Sequence, residues 1–190
     1  MAIVLASQSP RRQELLARIG VEDFKTLSLD IDESYPEGLS PEDTVRYIAK
    51  KKCDAAAALC APDDLIITAD TMVFLDNDRL GKPRDEEDAL RMLRALSGRA
   101  HTVCTGVSVR RGAQEERFAV STRVFFRPAT DDEIRAYIKT GEPMDKAGAY
   151  GIQGLGCTLV EGIGGDYFNV VGLPVARVVR EIKKITGAEK

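Results

Sequence analysis

Residues 3–20 leave the chain little freedom in how it can begin. Ile3-Val4-Leu5-Ala6 is a short apolar run that reads as a buried strand. Gln13 through Ile19 spaces its apolar residues helically, and Gly20 closes the run. Between the two lies Ser7-Gln8-Ser9-Pro10-Arg11-Arg12, with Ser9 suited to the N-cap and Pro10 to the first helical position. A strand that passes straight into a helix opens an α/β architecture. The same turn gathers serines, arginines and the free N–H groups of a helix start, which attract anions. Arginine adds a planar fork of donors suited to phosphate oxygens. Taken alone, the stretch is accounted for equally well by an ordinary connection with two solvated arginines.

The pattern continues down the chain. Residues 24–29 alternate at period two and predict a strand running into the acidic cluster Asp30-Ile31-Asp32-Glu33. Ser40-Pro41-Glu42-Asp43 starts a helix carrying Val45, Ile48, Ala49, Ala56 and Leu59 on its apolar side. Lys50, Lys51 and Lys52 point in different helical directions, so at most one or two can face a given site. Leu65-Ile66-Ile67-Thr68-Ala69 predicts a buried strand ending in Asp70-Thr71, and Asp76-Asn77-Asp78 predicts a turn after a further apolar run. Residues 86–96 read as a helix and 101–126 as a hairpin turning at Arg110-Arg111-Gly112. Thr130 and Glu133 form a capping box, and a glycine-rich stretch covers 147–156. A last helix opens at Leu173-Pro174 and runs to Gly187. Early alternation plus a central hairpin argues for an α/β fold with a mixed sheet. Its length of 190 residues suits one core, or two lobes sharing a sheet.

Several function classes drop out. A net charge of −3 provides no broad basic footprint, so no nucleic-acid partner is expected. No apolar run approaches the roughly 18 residues of a membrane span, and Met1 stands directly before the first strand, so neither a membrane segment nor a secretory leader is expected. The four cysteines show no metal or redox spacing and read as reduced cytosolic thiols. Gly81-Lys82 is followed by Pro83 without a P-loop glycine pattern. His101 is the only histidine, lies mid-strand, and is expected to be structural. What remains is polar residues at strand ends. Asp70 closes the most apolar strand, and Glu33 occupies a similar place. Two carboxylates with several cations, and no His or Cys cluster, suit a hard cation such as Mg²⁺ bridging to phosphates.

On Leu5-Ala6-Ser7-Gln8-Ser9-Pro10-Arg11-Arg12, Asp32-Glu33, Lys52, Ala69-Asp70-Thr71, Gly81-Lys82-Pro83, Leu96-Ser97-Gly98, residues 145–156, Gly165-Asp166-Tyr167 and Val171-Gly172-Leu173-Pro174, the chain resembles the Maf family of nucleoside triphosphate pyrophosphatases. The motifs follow the family's order over nearly the full length, as one domain covering 1–190. The resemblance implies an elongated mixed sheet flanked by helices, with two lobes and a central cleft, similar to the inosine triphosphatase type. It implies a cytoplasmic, divalent-metal-dependent enzyme (Mg or Mn), often a homodimer, that cleaves between the α and β phosphates. Arg11, Thr71 and Gln153 match the dTTP/UTP branch, with activity extending to modified pyrimidine triphosphates. The sister branch, acting on 7-methyl-GTP, is the alternative, as is a nucleotide-binding regulator of cell division without turnover. The one departure is Gln8, where a smaller residue is commoner. By the same resemblance Asp70 is the catalytic base, Glu33 and Asp70 hold metal, and Ser7, Arg11, Arg12, Lys52, Thr71, Lys82 and Gln153 bind substrate. Aspartate is ordinarily a weak base at neutral pH, so the role asks for a shifted carboxyl, a metal-bound water or direct metal ligation. The sequence leaves these three open.

Overall fold

The structure, a computed structural model, describes residues 1–76 and 78–187. The expected 76–78 turn therefore has its central Asn77 outside the described residues. Seven strands, β1 (Ile3–Leu5), β2 (Phe24–Thr26), β3 (Leu65–Leu75), β4 (Asp78–Leu80), β5 (Ala100–Arg111), β6 (Gln114–Phe126) and β7 (Val160–Gly164), form one sheet. Its order is β2-β1-β3-β5-β6-β7, with β4 on β3. β1 pairs parallel with β2 and β3, whereas β3–β4 and β6–β7 pair antiparallel, so the sheet is mixed as expected. The helices are α1 (Pro10–Arg18), α2 (Pro41–Ala57), α3 (Glu86–Leu96), α4 (Asp131–Ile138), α5 (Tyr167–Val171) and α6 (Val175–Thr186). None of the described helices is long and apolar enough to cross a membrane.

Residue contacts divide the chain into two compact units. One contains 1–70, 105–120 and the chain from Gly172 onward; the other contains 71–104 and 121–171. In the first, Ala6, Cys53, Ala56 and Ile66 form a buried cluster with Leu27 and Leu29 against it. α2 lies hard on β5 because Gly106 has no side chain: a Cβ there would stand 2.3 Å from the backbone of Val45. In the second, Leu90, Leu93 and Leu96 of α3 meet Val124, Phe126, Ile134 and Tyr137. His101 belongs to this core, where its Nε2 shares a hydrogen bond with the Tyr150 hydroxyl at 2.8 Å. Burial lowers its pKa to about 4, so it sits there neutral, consistent with a structural role.

Three expectations need correction. Asp70 does not end its strand: β3 continues to Leu75, because the apolar run after Thr71 stays in the ladder. β2 stops at Thr26 because its partner β1 ends at Leu5, opposite it in the register. Past the end of β2, Leu27 and Leu29 still pack inward, and the Leu27 N–H donates to the Leu5 carbonyl at 3.0 Å. Leu59 lies past the end of α2 and is 69% exposed.

Candidate active site

Two periodicities place the central pair. Thr68 and Asp70 lie two apart on β3, on one face of the sheet. Ala49 and Lys52 lie three apart on α2, on one face of the helix. The buried Thr68 hydroxyl donates to the Ala49 carbonyl at 2.7 Å, which locks helix against strand. One step further along each element, Lys52 Nζ donates to Asp70 Oδ1 at 2.8 Å. The same ammonium lies 2.9 Å from Glu33 Oε1. Its neighbours turn elsewhere, Lys50 to Asp54 and Lys51 to Asp32 at 3.2 Å, so one lysine of the three faces the site. Asp32 accepts from Ser34 and Lys51, and these bonds hold its carboxyl down at about 2. Glu33 is thus the acid of this cluster that meets Lys52. Asp70 is 7% exposed, and its Oδ2 is buried with no hydrogen-bond partner among the described residues.

The α1 entry turn supplies the cations. Ser9 holds the N-cap position, but its side chain makes no capping bond. The Ser7 hydroxyl instead accepts from the Ser9 N–H at 3.2 Å and from Arg12 Nη1 at 3.3 Å. Arg12 Nε donates to the Gly172 carbonyl at 2.9 Å, which fixes the plane of the guanidinium. Burial pulls the Arg12 pKa below the ordinary arginine value; Asp70 and Glu33 oppose that, while Arg11 adds to it. Ser7, Gln8, Arg12, Glu33 and Lys52 line one cavity of about 210 Å³. Gln8 is tied to the Ser28 hydroxyl. The first unit therefore brings together Ser7, Arg12, Glu33, Lys52 and Asp70, with Arg11 beside Arg12 in the first turn of α1.

Thr71, Lys82 and Gln153 belong to the second unit. Thr71 is half-buried directly after Asp70 on β3. Lys82 is exposed, and the Gly81 carbonyl before it accepts from the Gly148 N–H at 3.0 Å. Gln153 is exposed in a turn closed by Gly154 N–H to the Gly151 carbonyl at 3.4 Å, while Ile152 packs inward. The glycines at 151, 154 and 156 let the backbone close on the chain's own side chains, Glu142, Lys146 and Tyr137. A Cβ on Gly154 would stand 2.3 Å from Glu142 Oε2, and one on Gly156 would stand 2.6 Å from the Tyr137 hydroxyl. Glu142, Tyr137 and the Gly172 carbonyl escape sequence reasoning, because no spacing or motif marks a residue whose role is to be wrapped or to hold a guanidinium.

Residues 2–185 match the family model described as Maf-like protein. The chain belongs to the Maf family. Among relatives of this Maf chain, the dTTP/UTP pyrophosphatase of Bacillus velezensis is 48% identical over 96% of this chain and 95% of its own length. The dTTP/UTP pyrophosphatase of Phocaeicola vulgatus is 49% identical over the same shares. The solved structure of a HAM1 protein from Coxiella burnetii has a TM-score of 0.51 at 13% identity, with both chains covered in full. That likeness concerns the fold and bears out the expected inosine triphosphatase type.

Proposed function

We propose that this Maf-family protein hydrolyses dTTP and UTP to the nucleoside monophosphate and pyrophosphate. The observation that carries the chemistry is Lys52 held between Asp70 and Glu33 at a cavity that Arg12 and Ser7 also line. The base preference is supported by relatives of that activity at nearly half identity over nearly the whole chain. It is also supported by Arg11, Thr71 and Gln153 at the branch-defining positions.

Arg12 and Lys52, with Arg11 beside Arg12, supply positive charge that a triphosphate needs in a protein of net charge −3, and by the Maf resemblance Lys82 binds substrate too. Asp70 takes a proton from the attacking water. The water oxygen bonds to the α phosphorus, and the bond to the α–β bridging oxygen breaks, with pyrophosphate leaving on that oxygen's electron pair. The donor set fits a hard divalent cation, Mg or Mn: two carboxylates, one of them with a buried oxygen lacking a partner. Asp70 and Glu33 are the residues that would hold it. Bound there, the cation neutralises phosphate charge. None of the four cysteines forms a disulfide, which suits the reducing cytoplasm this reading assigns.

Gln153 is proposed to read the base. A neutral amide offers a donor and an acceptor to the imide edge of uracil or thymine, whereas a carboxylate offers acceptors only. Gln153→Glu should therefore lower kcat/KM for dTTP and UTP by more than about tenfold, the scale of one mispaired buried polar group. Activity on 7-methyl-GTP, whose base carries N–H donors and positive charge, should fall less or rise. Specificity constants for UTP, dTTP, GTP and 7-methyl-GTP on both proteins test the reading. Wild-type preference for the two pyrimidines supports it, and no turnover of either would end it. An unchanged ratio in the variant would remove Gln153 from base selection.

A further inference from the structure

Glu142 opens the short turn Glu142–Asp145 and turns its carboxylate onto the loops of its own unit. Its Oε1 accepts from the Tyr137 hydroxyl at 2.8 Å and from the Gly156 N–H at 3.1 Å. Its Oε2 accepts from the Leu155 N–H at 2.9 Å. The Tyr137 hydroxyl in turn accepts from the Gly151 N–H at 3.1 Å. Both ends of the turn carrying Gln153 are thus tied to one carboxylate, directly at Leu155 and Gly156 and through Tyr137 at Gly151. Burial of Glu142 opposes its ionisation, but the Gly156, Leu155 and Tyr137 hydrogen bonds outweigh it and hold the carboxyl below its usual range. The glycines at 151, 154 and 156 give the backbone the clearance to close around this group: a Cβ at any of them would fall within 3.3 Å of Glu142, Lys146 or Tyr137 atoms.

We propose that Glu142 is a positioning residue for base selection: an anionic post, seconded by Tyr137, on which the 151–156 turn is wound so that Gln153 is presented outward in one fixed orientation. The inference rests on the reading of Gln153 as the residue that meets the base. Charge and shape both matter to the post. A glutamine in its place has one acceptor oxygen instead of two, and its amide would meet a backbone N–H donor head-on. Lys146, whose Nζ donates to the Glu142 carbonyl at 2.7 Å, is held on the backbone side and leaves the carboxylate to the loop.

The test is a double-mutant cycle read on base discrimination. In the wild-type background, Glu142→Gln should lower the ratio of kcat/KM for UTP over GTP by about tenfold, the scale of one buried group left mispaired. In a Gln153→Ala background the same substitution should leave that ratio unchanged. A merely structural role would lower activity on all nucleotides in proportion and would act equally in both backgrounds; either result overturns the proposal. Amide hydrogen exchange without nucleotide forms the second arm: Glu142→Gln should speed exchange at Leu155 and Gly156 by at least about tenfold, and unchanged protection there overturns the proposal. Should the wild type show no pyrimidine preference, the functional reading fails, and the exchange arm still decides whether Glu142 holds the turn. Should Glu142→Gln not fold, Tyr137→Phe carries both measurements, with a smaller shift in the same direction expected and no shift overturning the proposal.

Discussion

Asp70→Asn should lower kcat for dTTP and UTP by at least about 100-fold, the scale of a lost general base. The substitution is nearly isosteric. An asparagine oxygen can still accept from Lys52 Nζ, which now donates to Oδ1 at 2.8 Å, so the tie between α2 and β3 survives. What disappears is the second carboxylate oxygen, buried without a partner. With Asp70 as the base, replacing one carboxylate oxygen by an amide N–H₂ group removes an acceptor and adds a donor on the group that takes the proton. The fold should tolerate the change, because Thr68 continues to hold Ala49 through its own hydrogen bond. Steady-state kinetics at saturating nucleotide, with thermal unfolding as the control for folding, measure the effect. Turnover within a few fold of wild type would remove Asp70 from the chemistry and leave it as the anchor of Lys52.

Arg12→Ala should cost roughly 2–4 kcal/mol of transition-state stabilisation, by analogy with the loss of one oxyanion-type donor. The loss should appear with every accepted nucleotide, because Arg12 would touch phosphate and not base. Arg12→Lys should recover only part of it. A lysine keeps the charge but cannot donate at once to the Gly172 carbonyl and the Ser7 hydroxyl, as the guanidinium does at 2.9 and 3.3 Å. Comparing kcat/KM for dTTP, UTP and one purine triphosphate on the three proteins separates the cases. A loss confined to one base would contradict the assignment, as would full recovery by lysine.

Much of this arrangement could be read from the chain itself, and the exceptions have physical causes. The capping box of α4 is present in both directions, since Thr130 and Glu133 satisfy each other's backbone N–H groups locally. α3 spans the residues expected of it, because Asp85 and the acids behind it mark its start and Gly98 its end. Local chemistry decides such features, so local sequence reveals them. Strand ends are decided by partners instead. β2 stops where β1 stops, and Asp70 lies inside β3, although Asp-Thr reads as a terminus. The resemblance names Lys52 among three adjacent lysines, but periodicity alone does not single it out; what turns it toward Asp70 is that Ala49 meets Thr68, a contact across 19 positions. The glycines of the 147–156 stretch announce a close backbone approach, but not that the groups approached include Glu142, Lys146 and Tyr137. The residues proposed to touch phosphate and base were nominated by resemblance to the Maf family, while the carboxylate to which the 151–156 turn is bonded came into view only with the fold.

Hydrolysis at the α–β phosphoanhydride of a pyrimidine triphosphate is tested most directly by incubating the protein with dTTP and Mg²⁺ and separating nucleotides and phosphates by ion exchange. Thymidine monophosphate and pyrophosphate should appear in equal amounts from the first turnovers; thymidine diphosphate and orthophosphate as the main products would contradict the proposed reaction.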